Sequence, residues 1–187
     1  MIKIAITGSL ASGKSSVAKL IEKKKYKVFS ADKSVTEIYK KKKIRKLIKK
    51  RFNFENTKEI KNKVKISIIN KKINMKKLEK IIHPEVRRER NAFIKKNKNH
   101  KILFFEIPLL FESKLEKSFD KIIFIHAMKK MRYKRYLLRG GNKKIFTILD
   151  RRQVKPLVKI KRSDYVITNN KSLKYLRKSV FRVLRDL

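Results

Sequence analysis

The chain has 187 residues, is 41% hydrophobic and contains no cysteine, which places it outside disordered compositions and excludes a disulfide framework, a thiol nucleophile and a cysteine metal centre. Its 56 Lys and Arg against 15 Asp and Glu give a net charge of +41, spread along the whole sequence together with abundant Ile and Asn. That spread fits a coding bias toward AT-rich codons, so weak, salt-sensitive polyanion binding is expected but no specific nucleic-acid partner. No apolar run approaches the roughly 18 residues of a membrane span and no signal-peptide core precedes the first apolar segment, so a cytoplasmic protein without membrane attachment is expected.

In chain order, Ile2-Lys3-Ile4-Ala5-Ile6 reads as a short buried strand. It runs directly into Gly8-Ser9-Leu10-Ala11-Ser12-Gly13-Lys14-Ser15, a complete G-x-x-x-x-G-K-S phosphate loop. Its glycines permit backbone angles that a Cβ blocks, so successive amides can curl around phosphate oxygens. Lys14 would reach the β- and γ-phosphates, and the Ser15 hydroxyl would bind Mg²⁺. The following helix, with Val17, Leu20 and Ile21 on one face, adds the positive end of its dipole. A nucleoside triphosphate is the implied ligand.

Tyr26 to Phe29 reads as a second strand that ends at Ser30-Ala31-Asp32. Asp32 at the carboxyl end of that strand is the leading candidate for a general base, with an N-cap for a helix starting near Lys33 as the alternative, and the two are compatible. Helical spacing then runs to about residue 97, with stripes Ile44/Leu47/Ile48, Ile60/Val64/Ile68 and Leu78/Ile81/Ile82 that read as core. This is a helical insert between strands two and three. Within it His83-Pro84 reads as the opening of a helix, with His83 a cap or turn residue.

Ile102 to Phe105 and Lys121 to His126 are nearly continuous apolar runs, the pattern of parallel strands covered on both faces. Glu106 ends the first of them, either as a metal-binding carboxylate or as a solvated acid at a strand end. Pro108-Leu109-Leu110-Phe111-Glu112 follows as an apolar loop capped by an acid. Residues 128–139 read as a basic helix with Arg132, Arg135 and Arg139 on one face. Gly140-Gly141 after it reads as a hinge for a flap that brings cations, Arg139 foremost, onto phosphates. A helix over 143–155, a strand over 165–168 and a closing amphipathic helix through Leu187 complete the pattern. The result is an α/β fold, a three-layer parallel five-stranded sheet of the P-loop NTPase type. Neither N-K-x-D nor D-x-x-G occurs, which argues against a switch GTPase.

Together these segments resemble the dephospho-coenzyme A kinase family. The resemblance is carried by the phosphate loop through Ser16, Ser30-Ala31-Asp32, Ile81-Ile82-His83-Pro84, Ile107 to Glu112, Arg135 with Arg139, Gln153, and Asp164 to Asn169. It implies a nucleoside monophosphate kinase-like architecture in one domain: core 1–32, 100–128 and 160–187, acceptor-binding insert about 33–99, lid about 129–157. It implies transfer of the ATP γ-phosphoryl to the ribose 3′-hydroxyl of dephospho-coenzyme A. Asp32, Lys14 and Arg139 would then be catalytic. Gly8, Ala11, Ser12, Gly13, Lys14, Ser15, Ser16, Arg139 and Asn169 would hold ATP, with Asn169 beside the adenine. Asp32, His83, Pro108, Leu109 and Glu112 would meet the acceptor, and Ser15 with Glu106 would hold Mg²⁺. Four features depart from the family pattern: Ser9-Leu10-Ala11 replaces a small, glycine-rich start to the loop, Glu106 a usual aspartate, Arg132 a frequent glutamine, and Gly140-Gly141 an acidic pair. The alternatives are another small-molecule P-loop kinase, such as a nucleoside monophosphate kinase, and a nucleic-acid-binding ATPase. The latter calls for exposed aromatics among basic residues, whereas the phenylalanines here lie mostly in apolar strands.

Overall fold

A computed structural model describes residues 1–56, 59–69 and 75–187. Two compact units are present, residues 1–30 with 97–187, and residues 31–96.

The first unit is built on a five-stranded, wholly parallel sheet in the order β2-β3-β1-β4-β5. The strands are β1 (Ile2–Gly8), β2 (Lys27–Ser30), β3 (Ile102–Glu106), β4 (Lys121–His126) and β5 (Tyr165–Thr168). β3 and β4 flank β1 on its two sides, so the carboxyl ends of β1 and β3 lie together, with Ile6 opposite Glu106. Side chains alternate across the sheet. Ile4, Ile6, Phe104, Ile123 and Ile125 pack under α1 (Lys14–Lys23) and α9 (Leu173–Arg185), against Val17, Ile21, Leu176 and Val180. Leu103, Phe105 and Phe124 point the opposite way and are equally buried, as continuous apolar strands require. Phe105 touches Phe29 and Phe119, with ring centroids 6.1 and 5.4 Å apart.

Between β4 and β5 the chain forms α6 (Lys129–Leu137), α7 (Lys143–Arg151) and α8 (Pro156–Lys161). Tyr133 and Tyr136 of α6 clasp Phe146 of α7, and Asn142 caps α7 by accepting from the amides of Lys144 and Ile145. The helix expected over 143–155 is thus shorter. Pro156 starts a separate helix at a first-turn position, where its missing N–H costs nothing.

The second unit holds α2 (Ala31–Lys40), α3 (Lys42–Phe52), α4 (Ile60–Ile69) and α5 (Met75–Lys96). Ile38, Ile44, Ile48, Ile60, Val64, Leu78 and Ile82 form its core. Leu47, expected in the α3 stripe, is 45% exposed, and the side chain of Ile68 lies outside the described residues. His83-Pro84 does not open a helix. Both lie inside α5, where Pro84 withdraws one ladder hydrogen bond. The apolar stripe of Leu78 and Ile82, joined by Val86, keeps the helix running through the proline.

Candidate active site

The phosphate loop takes its shape from a few backbone positions. Gly13 has φ +104° and Ala11 φ +56°, both left-handed. A Cβ on Gly8 would stand 2.5 Å from Ser12 Oγ and 2.6 Å from the Ile125 carbonyl, and one on Gly13 would collide with Asn169 Nδ2. Only glycine fits at either position. Lys14, almost fully buried, donates its ammonium to the carbonyls of Gly8 (3.0 Å) and Ser9 (3.1 Å). The loop thus holds its cation across its own mouth, where an incoming phosphate would meet it.

Glu106 emerges from β3 beside the loop and is 3% exposed. One carboxylate oxygen accepts from Ser15 Oγ at 2.7 Å, and the other from Ser30 Oγ at 2.7 Å. A hydroxyl and a carboxylate are hard oxygen donors of the kind Mg²⁺ takes. Mg²⁺ usually uses one or two carboxylates and completes its shell with phosphates and water.

The three arginines on and after α6 part company. Arg132 is 3% exposed and pairs with Asp150 at 2.6 Å. Arg135 donates through Nη2 to the carbonyl of Asn169 at 2.9 Å, while its Nη1 is buried with no partner among the described residues. Burial, then the charge of Arg139, pushes the Arg135 guanidinium below its ordinary pKa. Arg139 stands exposed just beyond α6. Two like charges, one with an idle buried donor, favour an anion between them.

Asn169, 7% exposed, donates Nδ2 to the Ser12 carbonyl at 2.8 Å and packs on Gly13. Its side chain therefore supports the phosphate loop directly. Glu112 accepts from the Val154 amide at 2.9 Å and lies 2.7 Å from the ammonium of Lys159, which is fully buried. That ammonium forms no directed hydrogen bond among the described residues, so the contact is charge pairing. Pro108 is half-buried and Leu109 is 42% exposed.

In the second unit Asp32 is not the expected N-cap: α2 begins at Ala31, which places Asp32 exposed within the first turn, two residues along the chain from Ser30. Its backbone carbonyl accepts from Thr36 Oγ1 at 3.0 Å. Exposed His83 lines a groove along α5 with Lys80, Pro84 and Arg87. Burial, then the charge of Arg87, lowers the pKa of Arg90 on the same helix. This face of α5 is cationic and suits an anionic ligand.

Sequence reading missed four participants: Ser30 as second holder of Glu106, Asp150 as partner of Arg132, Lys159 under Glu112, and Gln153 as an anchor of the loop. Gln153 Oε1 accepts from the Leu10 amide at 2.9 Å, across 143 residues. Only its place in the resemblance singled it out.

The dephospho-CoA kinase family (CoaE) matches residues 2–175. The dephospho-CoA kinase of Bartonella quintana (strain Toulouse) is 35% identical, over 98% of this chain and 97% of that protein. Among solved structures, TT1252 from Thermus thermophilus superposes with a TM-score of 0.82 at 28% identity, covering 100% of this chain and 97% of the other. The dephospho-CoA kinase of Campylobacter jejuni gives 0.71 at 27% identity, covering 98% and 96%. A P-loop kinase fold, a phosphate loop with its lysine and serine in place, and a match over nearly the full length make this chain a member of the dephospho-CoA kinase family.

Proposed function

We propose that this kinase transfers the γ-phosphoryl of ATP to the ribose 3′-hydroxyl of dephospho-coenzyme A, giving coenzyme A and ADP in the cytoplasm. The observation that carries the reading is the buried Glu106 carboxylate, shared between the hydroxyls of Ser15 and Ser30 beside a phosphate loop that already orients its lysine. The amides of Ala11 and Gly13, with those of Lys14 and Ser15 at the start of α1, cradle the phosphates, while the Ser12 and Ser16 amides brace the loop by donating to the carbonyls of Ser9 and Gly13. Lys14 moves from the Gly8 and Ser9 carbonyls to the β- and γ-phosphates. Arg139, with the idle Nη1 of Arg135, covers charge on the transferred group. Ser15 and Glu106 would hold Mg²⁺, which when bound neutralises charge on the phosphate oxygens. Asp32 takes the proton of the acceptor hydroxyl. His83 and the cationic face of α5 meet the acceptor's anionic groups, with Leu109 the exposed apolar member of the loop after β3.

The test is incubation with ATP, Mg²⁺ and dephospho-coenzyme A, with coenzyme A detected by mass. Formation of coenzyme A at the expense of ATP is expected. Phosphorylation of a nucleoside monophosphate instead, or hydrolysis stimulated by polynucleotide without coenzyme A, would overturn the reading.

A further inference from the structure

Leu10, at the tip of the phosphate loop, has both of its backbone polar groups bound by the segment between β4 and β5. Its amide donates to Gln153 Oε1 at 2.9 Å, just past α7, and its carbonyl accepts from Arg132 Nη1 at 3.3 Å, on α6. Arg132 is fixed in turn. Its Nε donates to the Ala127 carbonyl at 3.1 Å, its Nη1 lies 2.6 Å from Asp150 Oδ1, and its plane stands 5.7 Å from the Phe146 ring centre.

Peptide geometry turns these two anchors into a constraint on the binding face of the loop. In a trans peptide the C=O and the following N–H point in opposite directions. Drawing the Leu10 N–H outward to Gln153 aims the Ser9 carbonyl inward, where it accepts from Lys14 Nζ at 3.1 Å and from the Ser12 amide at 3.1 Å. Drawing the Leu10 carbonyl outward to Arg132 aims the Ala11 amide the other way. The next residue, Ala11, sits at φ +56° without being glycine, a strained conformation that persists where neighbouring contacts over-determine it.

We propose that Gln153 and Arg132 are positioning residues that clamp the Leu10 peptides from both sides. They thereby set the phosphate loop, and the parking site of Lys14, in the form that receives a nucleoside triphosphate. Asp150 acts one step further back, as the acid that holds Arg132. This role presupposes ATP in the loop, as proposed above, and is independent of the acceptor's identity.

The test measures ATP binding by calorimetry without acceptor, alongside steady-state kinetics. In Gln153→Leu the ATP dissociation constant and the KM for ATP rise about tenfold, while the KM for dephospho-coenzyme A changes less than twofold. Gln153→Glu keeps an accepting oxygen and stays within about threefold of wild type. A Gln153→Leu protein that binds ATP like the wild type, or that loses thermal stability alone, overturns the clamp. Failure of the wild type to bind ATP overturns the nucleotide reading itself, whereas ATP binding without coenzyme A formation overturns only the choice of acceptor. Hydrogen exchange on the wild type needs no variant: the Leu10 amide is slow, and exchange at the rate of an exposed amide would overturn the clamp.

Discussion

Ser15 and Glu106 stand 91 residues apart in sequence, and the hydroxyl of one donates to the carboxylate of the other at 2.7 Å. The parallel pairing of β1 with β3 makes this meeting inevitable, because it sets Ile6 opposite Glu106, just before the loop turns into α1. Glu106 is 3% exposed, and each of its two oxygens is committed to a hydroxyl, one to Ser15 and the other to Ser30.

Glu106→Gln is the direct probe of that commitment. The amide keeps the volume and one acceptor but loses the charge, so the Mg²⁺ concentration for half-maximal rate should rise about ten- to a hundredfold. Initial rates against Mg²⁺ at fixed ATP check it. An unchanged Mg²⁺ dependence removes Glu106 from the metal set.

The pair Lys159 and Glu112 bears on stability. Lys159 is fully buried and Glu112 has a side chain 14% exposed, so removing either partner strands a charge. Lys159→Met should cost about 3–5 kcal/mol in urea unfolding, and Lys159→Met with Glu112→Gln should recover part of it. If the single variant unfolds at the wild-type urea concentration, Glu112 does not depend on this lysine.

The strands were legible because parallel strands covered on both faces read as uninterrupted apolar runs. The expectations for Lys121 to His126 and for 165–168 match β4 and β5. The phosphate loop was legible for a different reason, since its backbone geometry demands glycine at fixed spacing. The fates of Arg132, Arg135 and Arg139 were not legible. Local spacing puts all three on one face, and what separates them is Asp150 and the Leu10 carbonyl, brought close by the tertiary fold. His83-Pro84 misled because proline at a helix start and proline inside a helix look alike until the burial of Leu78 and Ile82 decides between them. Pro156 carried a usable signal for the start of α8.

A pH effect follows from Glu89 of α5. Burial by itself would raise its pKa, but hydrogen bonds from Lys41 (2.8 Å) and Ser34 (2.5 Å), with the charge of Lys41, bring it below the ordinary value. A carboxyl whose pKa is lower folded than unfolded contributes stability above its unfolded pKa and loses it as pH falls through the folded one. Lys41 is 42% exposed, so the contribution is under about 1 kcal/mol. Glu89→Gln should therefore be slightly less stable than wild type at pH 7, with the gap closing below about pH 4. A gap that persists or widens in acid would show that the packing of the side chain matters, not its charge.

Asp32→Asn tests the chemistry. Asp32 is exposed in the first turn of α2, where an aspartate suits the helix dipole whether or not it is also the proposed base. Asparagine is nearly isosteric, so the substitution takes away the carboxylate's charge and its capacity to accept a proton at almost unchanged volume. Turnover should fall by about 10²–10⁴, with ATP binding unchanged because the phosphate loop is untouched. Measuring kcat together with the ATP dissociation constant separates the outcomes. A fall in kcat alone makes Asp32 the base, whereas near-normal turnover reduces it to an element of the helix terminus.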